Sequence, residues 1–167
     1  YRLFQDPAEG HPDITIDGYA GDGFLALISG KTPVQTSYEF AVSLYEQFKK
    51  NTRPLLLDLG FRASISFRAG LHIGQVWNMA LHNEPGSAQY TKVSDAINLA
   101  SRVVTSKVSR RKGIALTRAC YRRLTRTKKK DVRECDEIIL DRNKYPEPIE
   151  VFSITPEEHE MIMERGA

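Results

Sequence analysis

The sequence predicts an α+β fold, in which helices pack on one side of a mostly antiparallel sheet. Two short apolar runs, 14–19 and 24–29, flank Ala20-Gly21-Asp22-Gly23 and predict a tight β-hairpin, because Asp-Gly accepts the positive φ angles of such a turn. Residues 35–50 then carry apolar side chains at helical spacing. Residues 61–73 alternate apolar and polar side chains, which is typical of a long half-buried strand. Hairpins that alternate with helices in this way indicate an α+β sandwich.

The remaining elements follow from shorter patterns. Asn51, Pro54 and Gly60 are expected to break the chain after the first helix. The second strand of the sheet should begin after Gly74. The predicted elements are a strand over 76–81, a turn over 84–87, a helix over 95–106, a strand over 114–116, a helix over 118–125, and strands over 138–140 and 149–154.

Length and composition predict one soluble domain. The chain has 167 residues, of which 41% are hydrophobic and 27% charged. We expect a globular domain over 1–154 and an acidic tail over 155–167. The sequence contains neither a signal peptide nor the roughly 20 consecutive apolar residues of a membrane span. A cytoplasmic protein without a membrane partner is therefore predicted, with Cys120 and Cys135 as reduced, structural thiols.

The charge distribution is uneven. Twelve of the 24 Lys and Arg residues lie between Lys107 and Arg133, where Asp131 is the single acid. Such a block suits nucleic acid or phosphate groups. A solvated helix face and loop is the simpler interpretation, and Tyr121 is the only aromatic residue available for base stacking. Nucleic acid is therefore not the expected partner.

Asp22 is the first candidate for chemistry. A carboxylate at a hairpin tip, flanked by Gly21 and Gly23, is exposed, firmly held and open to a bulky ligand. Carboxylate oxygens together with substrate phosphates are what a hard divalent cation prefers. The alternative is an ordinary Asp-Gly turn.

Asn98 and Arg102 form the second candidate. They lie four residues apart on the predicted helix over 95–106, so both project from one face. Asn offers an amide donor and acceptor, and Arg offers a planar fork that suits phosphate oxygens. The alternative is an exposed polar pair on an amphipathic helix.

Taken together, these stretches resemble a known family. Gly21-Asp-Gly-Phe-Leu-Ala26, Arg68-Ala-Gly-Leu-His-Ile-Gly74 and Asn98-Leu-Ala-Ser-Arg102 occur in the order and approximate spacing of the class III nucleotide cyclase domain. The resemblance extends from about residue 13 to residue 154. The last motif is the most specific, because class III cyclases commonly carry Val-Asn-Leu-Ala-x-Arg there.

The resemblance implies a fold, a partner and a cofactor. The fold would be the ferredoxin-like cyclase sandwich, paired head to tail in a homodimer with active sites at the interface. Two ions, Mg²⁺ or Mn²⁺, would bind the nucleoside triphosphate substrate, activating the ribose 3′-hydroxyl and neutralising the polyphosphate. Asp22 corresponds to the second metal-binding aspartate of the family. Asn98 corresponds to the residue that orients the ribose, and Arg102 to the one that stabilises charge at phosphorus.

One departure concerns the first metal-binding aspartate. In the family it lies on a strand roughly forty residues before the second, and this chain begins 21 residues before Asp22. Asp6 and Asp13 are too close in sequence to replace it, and Asp17 lies within the hairpin. We therefore expect the chain to be an amino-terminally shortened piece of a longer protein. A degenerate, non-catalytic relative is the alternative.

A second departure concerns the base. Adenylyl cyclases usually carry a lysine four residues before the hairpin aspartate, where this chain has Gly18. Tyr19 follows, and a bulky residue there is similar to the pyrimidine cyclases of the Pycsar anti-phage system, which make cyclic UMP or cyclic CMP. A smaller pocket favours a one-ring base, so we expect UTP in preference to CTP. The alternatives are a Tyr19 ring buried in the core and an ordinary adenylyl or guanylyl cyclase. Thr91 corresponds to the family's other base-reading position, where a hydroxyl also suits some adenylyl cyclases. Lys144, just before the last strand, is a candidate to bind the triphosphate, and an ordinary surface lysine is the simpler interpretation.

Overall fold

The computed structural model describes residues 11–21, 23–60, 66–84, 87–132, 134–139 and 144–154. For residues 20, 80–84, 87–91, 111–112 and 134–135 it describes the backbone alone. The predicted acidic tail over 155–167 lies outside the described residues. So does the amino-terminal half of the predicted strand over 61–73.

Strands and helices alternate along the chain. The strands are β1 (Ile14–Ala20), β2 (Gly23–Ile28), β3 (Ala69–Leu71), β4 (Trp77–Glu84), β5 (Ser87–Val93), β6 (Ile114–Thr117), β7 (Glu134–Ile138) and β8 (Ile149–Ile154). The helices are α1 (Pro33–Gln47), α2 (Arg53–Asp58), α3 (Asp95–Thr105), α4 (Lys107–Lys112), α5 (Arg118–Arg123) and α6 (Arg126–Lys129).

The predicted α+β class with mainly antiparallel strands is confirmed. Strands β1 and β2 form one antiparallel hairpin, and β4 and β5 form another. The third sheet has the order β3-β6-β8-β7, in which β3 pairs with β6 in parallel and the other two pairings are antiparallel. The described chain divides into two compact units, one built from residues 11–67 and 123–131 and the other from residues 68–122 and 132–154.

The first unit is built on the β1–β2 hairpin and α1. Ile14, Phe40 and Leu44 are buried together, with Phe67 packed against them. The hairpin and the first helix were both predicted, because apolar side chains at period two and at helical spacing leave little ambiguity.

The predicted break after the first helix is wrong at Asn51 and Pro54, but the chain does leave the helix just before Gly60. The chain stays helical through a π-helical turn, Phe48–Thr52, and then α2, which ends before Gly60. Pro54 lies in the first turn of α2, where its missing N–H is not needed by the helix. The wider turn before it removes the conflict that a proline would cause inside a regular α-helix.

The segment 123–131 packs on α1 through three polar contacts. The Gln35 Nε2 donates to the carbonyl oxygen of Arg123 at 2.7 Å. The hydroxyl of buried Tyr38 donates to Asp131 Oδ2 at 3.1 Å, and Lys128 forms an ion pair with Glu39. Burial and the carboxylate of Asp131 raise the pKa of Tyr38, so its hydroxyl stays protonated as the donor.

The second unit is built around the four-stranded sheet, on which α3 and α4 pack. All four residues of β6 are buried, because β6 lies between β3 and β8 and is covered by helices. Val103 of α3 and Val108 of α4 pack against Ala115 and Val151. Strands β6 and β8 were predicted within one residue of their observed ends.

The strand predicted over 61–73 is described from residue 66 onward. Within these residues only Ala69–Leu71 pairs with another strand, namely β6. Burial alternates over 66–69, where Ser66 and Arg68 are exposed and Phe67 and Ala69 are partly buried. Alternation therefore reports which side faces the core, but a strand also needs a partner along its whole length.

Other elements differ from the sequence prediction where apolar residues are few. The strand predicted over 138–140 is instead β7, which is set by pairing with β8, and Ile139 is 67% exposed. Strand β5 and helices α4 and α6 were not predicted. Helix α4 has Val108 as its one apolar residue, although Ser106 caps it by accepting the backbone N–H of Ser109.

Helix α3 lies directly on β3 because two glycines leave room for it. A Cβ atom at Gly70 would lie 2.5 Å from the backbone nitrogen of Val104 and 2.6 Å from the carbonyl oxygen of Ala100. At Gly74 it would lie 2.5 Å from the Cβ of Ala96. At Gly70 the helix backbone thus rests on the strand without intervening side chains, and at Gly74 the Cβ of Ala96 is the contact; together these fix the position of α3.

The Gly70→Ala variant is expected to lose about 1–3 kcal/mol of the free energy of unfolding, because the added methyl group meets helix backbone that no rotamer can move. Denaturant titration measures this loss. Gly74→Ala is also expected to destabilise the fold, but Ala96→Gly removes the atom it meets and should recover part of the loss. A Gly70→Ala chain as stable as the wild type would contradict the close packing of α3.

Candidate functional site

Asn98 and Arg102 lie one turn apart on the exposed face of α3, as predicted. Leu99 and Val103 on the other side of the helix are buried. Among the residues that the structure describes, neither the Asn98 nor the Arg102 side chain has a hydrogen-bond or ion-pair partner. An amide and a guanidinium group are therefore available together to a ligand.

The start of α3 is fixed by Ser94. Its side chain accepts the backbone N–H of Ala96 at 3.0 Å, which caps the helix. The same hydroxyl donates to the carbonyl oxygen of Gln75, in the segment between β3 and β4. Ser94 is buried, so this capping contact also ties the helix start to the rest of the second unit.

Asp95, the first residue of α3, draws Lys144 to this helix. Its Oδ1 accepts hydrogen bonds from Lys144 Nζ at 2.7 Å and from the Tyr145 hydroxyl at 2.6 Å. These contacts lower the pKa of Asp95, Lys144 contributing most, and raise the pKa of both donors. Asp95 precedes Asn98 by three residues and therefore lies on the same side of α3. The structure thus brings the predicted phosphate-binding lysine to the helix that carries Asn98 and Arg102.

His72 is held near the start of the same helix. It is half-buried, and its Nδ1 lies 2.8 Å from Thr117 Oγ1 on β6. Burial lowers the pKa of His72, and the negative charge of Asp95 partly opposes that effect. His72 therefore serves as a packed, hydrogen-bonded residue.

The β1–β2 hairpin of the first unit contains a bulge at the predicted base-reading position. The strand register shifts between Ile16 and Tyr19, and Gly18 adopts a φ of 83° there. A lysine at Gly18 would be strained, because side-chain-bearing residues rarely adopt this conformation. Tyr19 is 78% exposed, with its ring 6.2 Å from that of Phe24. The alternative in which the Tyr19 ring is buried in the core is therefore wrong.

The remaining predicted residues are placed less completely. Gly21 adopts a φ of 62° at the hairpin turn. Asp22, the predicted metal ligand, lies outside the described residues. Thr91 is paired with Met79 in the β4–β5 register, at the strand that leads into α3. Tyr19 and Gly21 thus belong to the first unit, whereas Thr91, Asn98, Arg102 and Lys144 belong to the second.

The described residues do not by themselves assemble a metal centre. Within them, no three His, Cys, Asp or Glu side chains are grouped so that they could hold a metal ion. The expected Mg²⁺ or Mn²⁺ ions would depend on Asp22, which lies outside the described residues.

The basic block does not form one uniform surface. Lys107 and Arg110 of the second unit are exposed, but Arg118 donates to Glu150 at 2.6 Å. In the first unit, Lys128 pairs with Glu39 and stacks over the ring of Tyr38. Acidic neighbours thus neutralise part of the positive charge of the block.

No protein-family model matches this chain, and a search of curated proteins finds no match to it. The cyclase resemblance therefore remains a prediction that depends on the three motifs and their order. Across the part of the chain that the structure describes, every helix is too short or too polar to cross a bilayer.

Sequence reasoning missed Asp95 and Tyr145. The pair that they form joins positions 50 residues apart, which no local pattern reveals. Asp95 did carry a signal, since Ser94-Asp95 before an apolar helix is a typical helix start with an acid in the first turn. That signal predicts helix capping and says nothing about Lys144.

Acid is expected to destabilise the fold through His72. The ordinary pKa of histidine is about 6.5, and burial lowers the pKa of His72 in the folded state. The unfolded chain therefore takes up this proton first as the pH falls, so stability is lost from about pH 6.5 downward until the folded pKa is reached.

Thermal melts between pH 7.5 and 5 test this expectation. The His72→Gln variant, whose amide can still pair with Thr117, should have a melting temperature that depends less on pH in that interval. His11→Gln, at an exposed position, is the matched control for loss of a histidine. An unchanged pH dependence in His72→Gln would contradict this role.

Proposed function

We propose that the chain is the catalytic domain of a nucleotide cyclase, which converts a pyrimidine nucleoside triphosphate to the 3′,5′-cyclic monophosphate and pyrophosphate. The observation that carries the proposal is the exposed pair of Asn98 and Arg102 on α3, whose side chains have no partner among the described residues, with Lys144 held at the same helix. The order of the three sequence motifs supports it. The proposal includes the class III cyclase sandwich as the fold and a homodimer that shares its active sites.

Each of the three residues has a distinct part in the proposed reaction. The ribose 3′-oxygen forms a bond to the α-phosphorus, the bond from that phosphorus to the bridging oxygen of pyrophosphate breaks, and the 3′-hydroxyl proton leaves to solvent. Arg102 donates to the α-phosphate oxygens as charge develops on them. Asn98 hydrogen-bonds the ribose and so aligns the 3′-oxygen with phosphorus. Lys144 binds the β- and γ-phosphates and favours release of pyrophosphate.

The preference for a pyrimidine is proposed from the hairpin. The bulge places a glycine in the left-handed region where a purine-reading lysine would be strained. Tyr19, next to it, presents an exposed ring that can fill space beside the base. UTP is proposed over CTP, and the product would act as a second messenger in anti-phage defence, synthesised in the cytoplasm.

A substrate panel tests the proposed reaction. Turnover is measured with the full-length protein, supplied with Mn²⁺ or Mg²⁺ and each of the four ribonucleoside triphosphates. We expect cyclic UMP to accumulate fastest, cyclic CMP more slowly, and little purine product. A preference for ATP or GTP would overturn the pyrimidine assignment. Absence of turnover with all four triphosphates would overturn the proposal that the protein is a cyclase.

Removing Arg102 or Asn98 is expected to lower kcat roughly 10²-fold or more, because each donor acts on the transition state. The measurement is cyclic nucleotide formed per enzyme at saturating triphosphate with Arg102→Ala and Asn98→Ala. Arg110→Ala, an exposed arginine on the neighbouring helix α4, is the matched control and should keep its activity.

A second control separates loss of chemistry from loss of fold. In a shared-site homodimer, mixing inactive Arg102→Ala chains with inactive Asp22→Ala chains recreates one intact site and restores part of the activity. Near-normal kcat in Arg102→Ala would show that the arginine has been assigned to the wrong position. Absence of any recovery on mixing would contradict sites shared between subunits.

A further inference from the structure

Asp95, Lys144 and Tyr145 form a polar cluster in the second unit. One carboxylate oxygen, Oδ1 of Asp95, accepts from both Lys144 Nζ and the Tyr145 hydroxyl. The two donors come from the segment just before β8, and the Lys144 ammonium also lies 5.5 Å from the centre of the Tyr145 ring. Asp95 therefore determines where this lysine rests.

The resting place of Lys144 is one end of a row of polar residues. Asp95, Asn98 and Arg102 follow one another at intervals of three and four residues on α3. The helical rise separates the first from the last by about 10 Å along the axis. Linked phosphates lying along this row would meet Arg102 at one end and the Lys144 ammonium at the other.

The Asp95–Lys144 pair is suited to exchange rather than to stability. The side chains of Lys144 and Asp95 are 53% and 58% exposed, so water screens their attraction. Exposed ion pairs of this kind add little to folding. A polyphosphate carries several negative charges and many acceptor oxygens, so it competes well with a single carboxylate for the same ammonium.

We propose that Asp95 is a positioning residue that holds Lys144 at the start of α3 in the nucleotide-free protein and releases it to the incoming triphosphate. This inference rests on the proposed function, because it names how that site takes up its substrate. While Asp95 holds the lysine, the ammonium is neutralised and kept beside the helix. When phosphate arrives, the ammonium changes partner and the carboxylate is left to water and Tyr145.

A double-mutant cycle on the affinity for inorganic tripolyphosphate with Mg²⁺ tests the exchange. We expect Asp95→Asn to bind this probe severalfold more tightly than the wild type, because Lys144 is then free from the start. Lys144→Ala should bind it more weakly. In the Lys144→Ala background, Asp95→Asn should change the affinity much less than it does alone. Glu147→Gln, which removes a nearby exposed carboxylate from the same segment, is the matched control and should leave the affinity near that of the wild type.

The reactivity of Lys144 provides a readout that does not depend on nucleotide chemistry. Acylation requires the neutral amine, and Asp95 raises the pKa of Lys144. Peptide mass spectrometry should therefore show faster acylation of Lys144 in Asp95→Asn than in the wild type or Glu147→Gln. Tripolyphosphate should slow the acylation of Lys144 in the wild type and in Asp95→Asn. Melting temperatures check that Asp95→Asn, whose cap at Ser94 is intact, remains folded.

Three results would overturn the inference, and the third of them would overturn the proposed function as well. If Asp95→Asn raised the affinity for tripolyphosphate equally in the wild type and in the Lys144→Ala background, the Asp95 carboxylate would act only by repelling the anion. Unchanged acylation of Lys144 in Asp95→Asn would mean that the ion pair does not hold the lysine in solution. Faster acylation without any tripolyphosphate binding would confirm the ion pair but remove the proposed function and the exchange with it.

Discussion

The direct contact between α3 and β3 is the constraint on which the second unit depends. Gly70 brings the helix so close that backbone meets backbone, and Gly74 lies against the Cβ of Ala96, so a methyl group would not fit at either position. Such a contact has no side-chain rotamers to adjust, so it tolerates little sliding or rotation. The packing of α3 on the sheet therefore fixes the orientation of its exposed face and of the residues on that face.

The polar residues around α3 are exposed, unlike the side chains that pack it on the sheet. Val103 and Val108 are buried, whereas the contact between Asp95 and Lys144 is exposed to solvent. Tight apolar contacts hold the helix, and exposed polar contacts arrange the side chains on its surface. A rigid frame with weak surface contacts would suit the proposed binding and release of a charged ligand.

Sequence reasoning succeeded where local pattern and tertiary packing agree. The strands of the first hairpin and the amphipathic helix α3 place apolar residues where the core needs them, and β8 was predicted over its observed range, 149–154. Within the described residues it failed around β3, because the predicted pattern continues beyond the three residues that pair with β6. It also failed at α4, where a single apolar residue provides no period.

The candidate site shows the same division. Asn98 and Arg102 were found because four residues on a helix make one turn. Asp95 and Tyr145 were missed because their contact spans 50 residues and depends on how β8 enters the sheet. Gly18 was noticed only as a missing lysine, whereas the structure gives the backbone reason for a glycine there.

The return of the segment 123–131 to α1 has a consequence for the construction of shortened variants. The chain leaves the first unit after Phe67, comes back at Arg123 to contact Gln35, Tyr38 and Glu39, and leaves again after Asp131. Neither unit is one uninterrupted stretch of polypeptide. A cut at the boundary after Phe67 would strip α1 of these polar contacts and leave the hydroxyl of Tyr38 without Asp131 as its acceptor. Isolating the first unit thus calls for joining segment 123–131 directly to residues 11–67 through a linker that replaces residues 68–122, rather than for simple truncation.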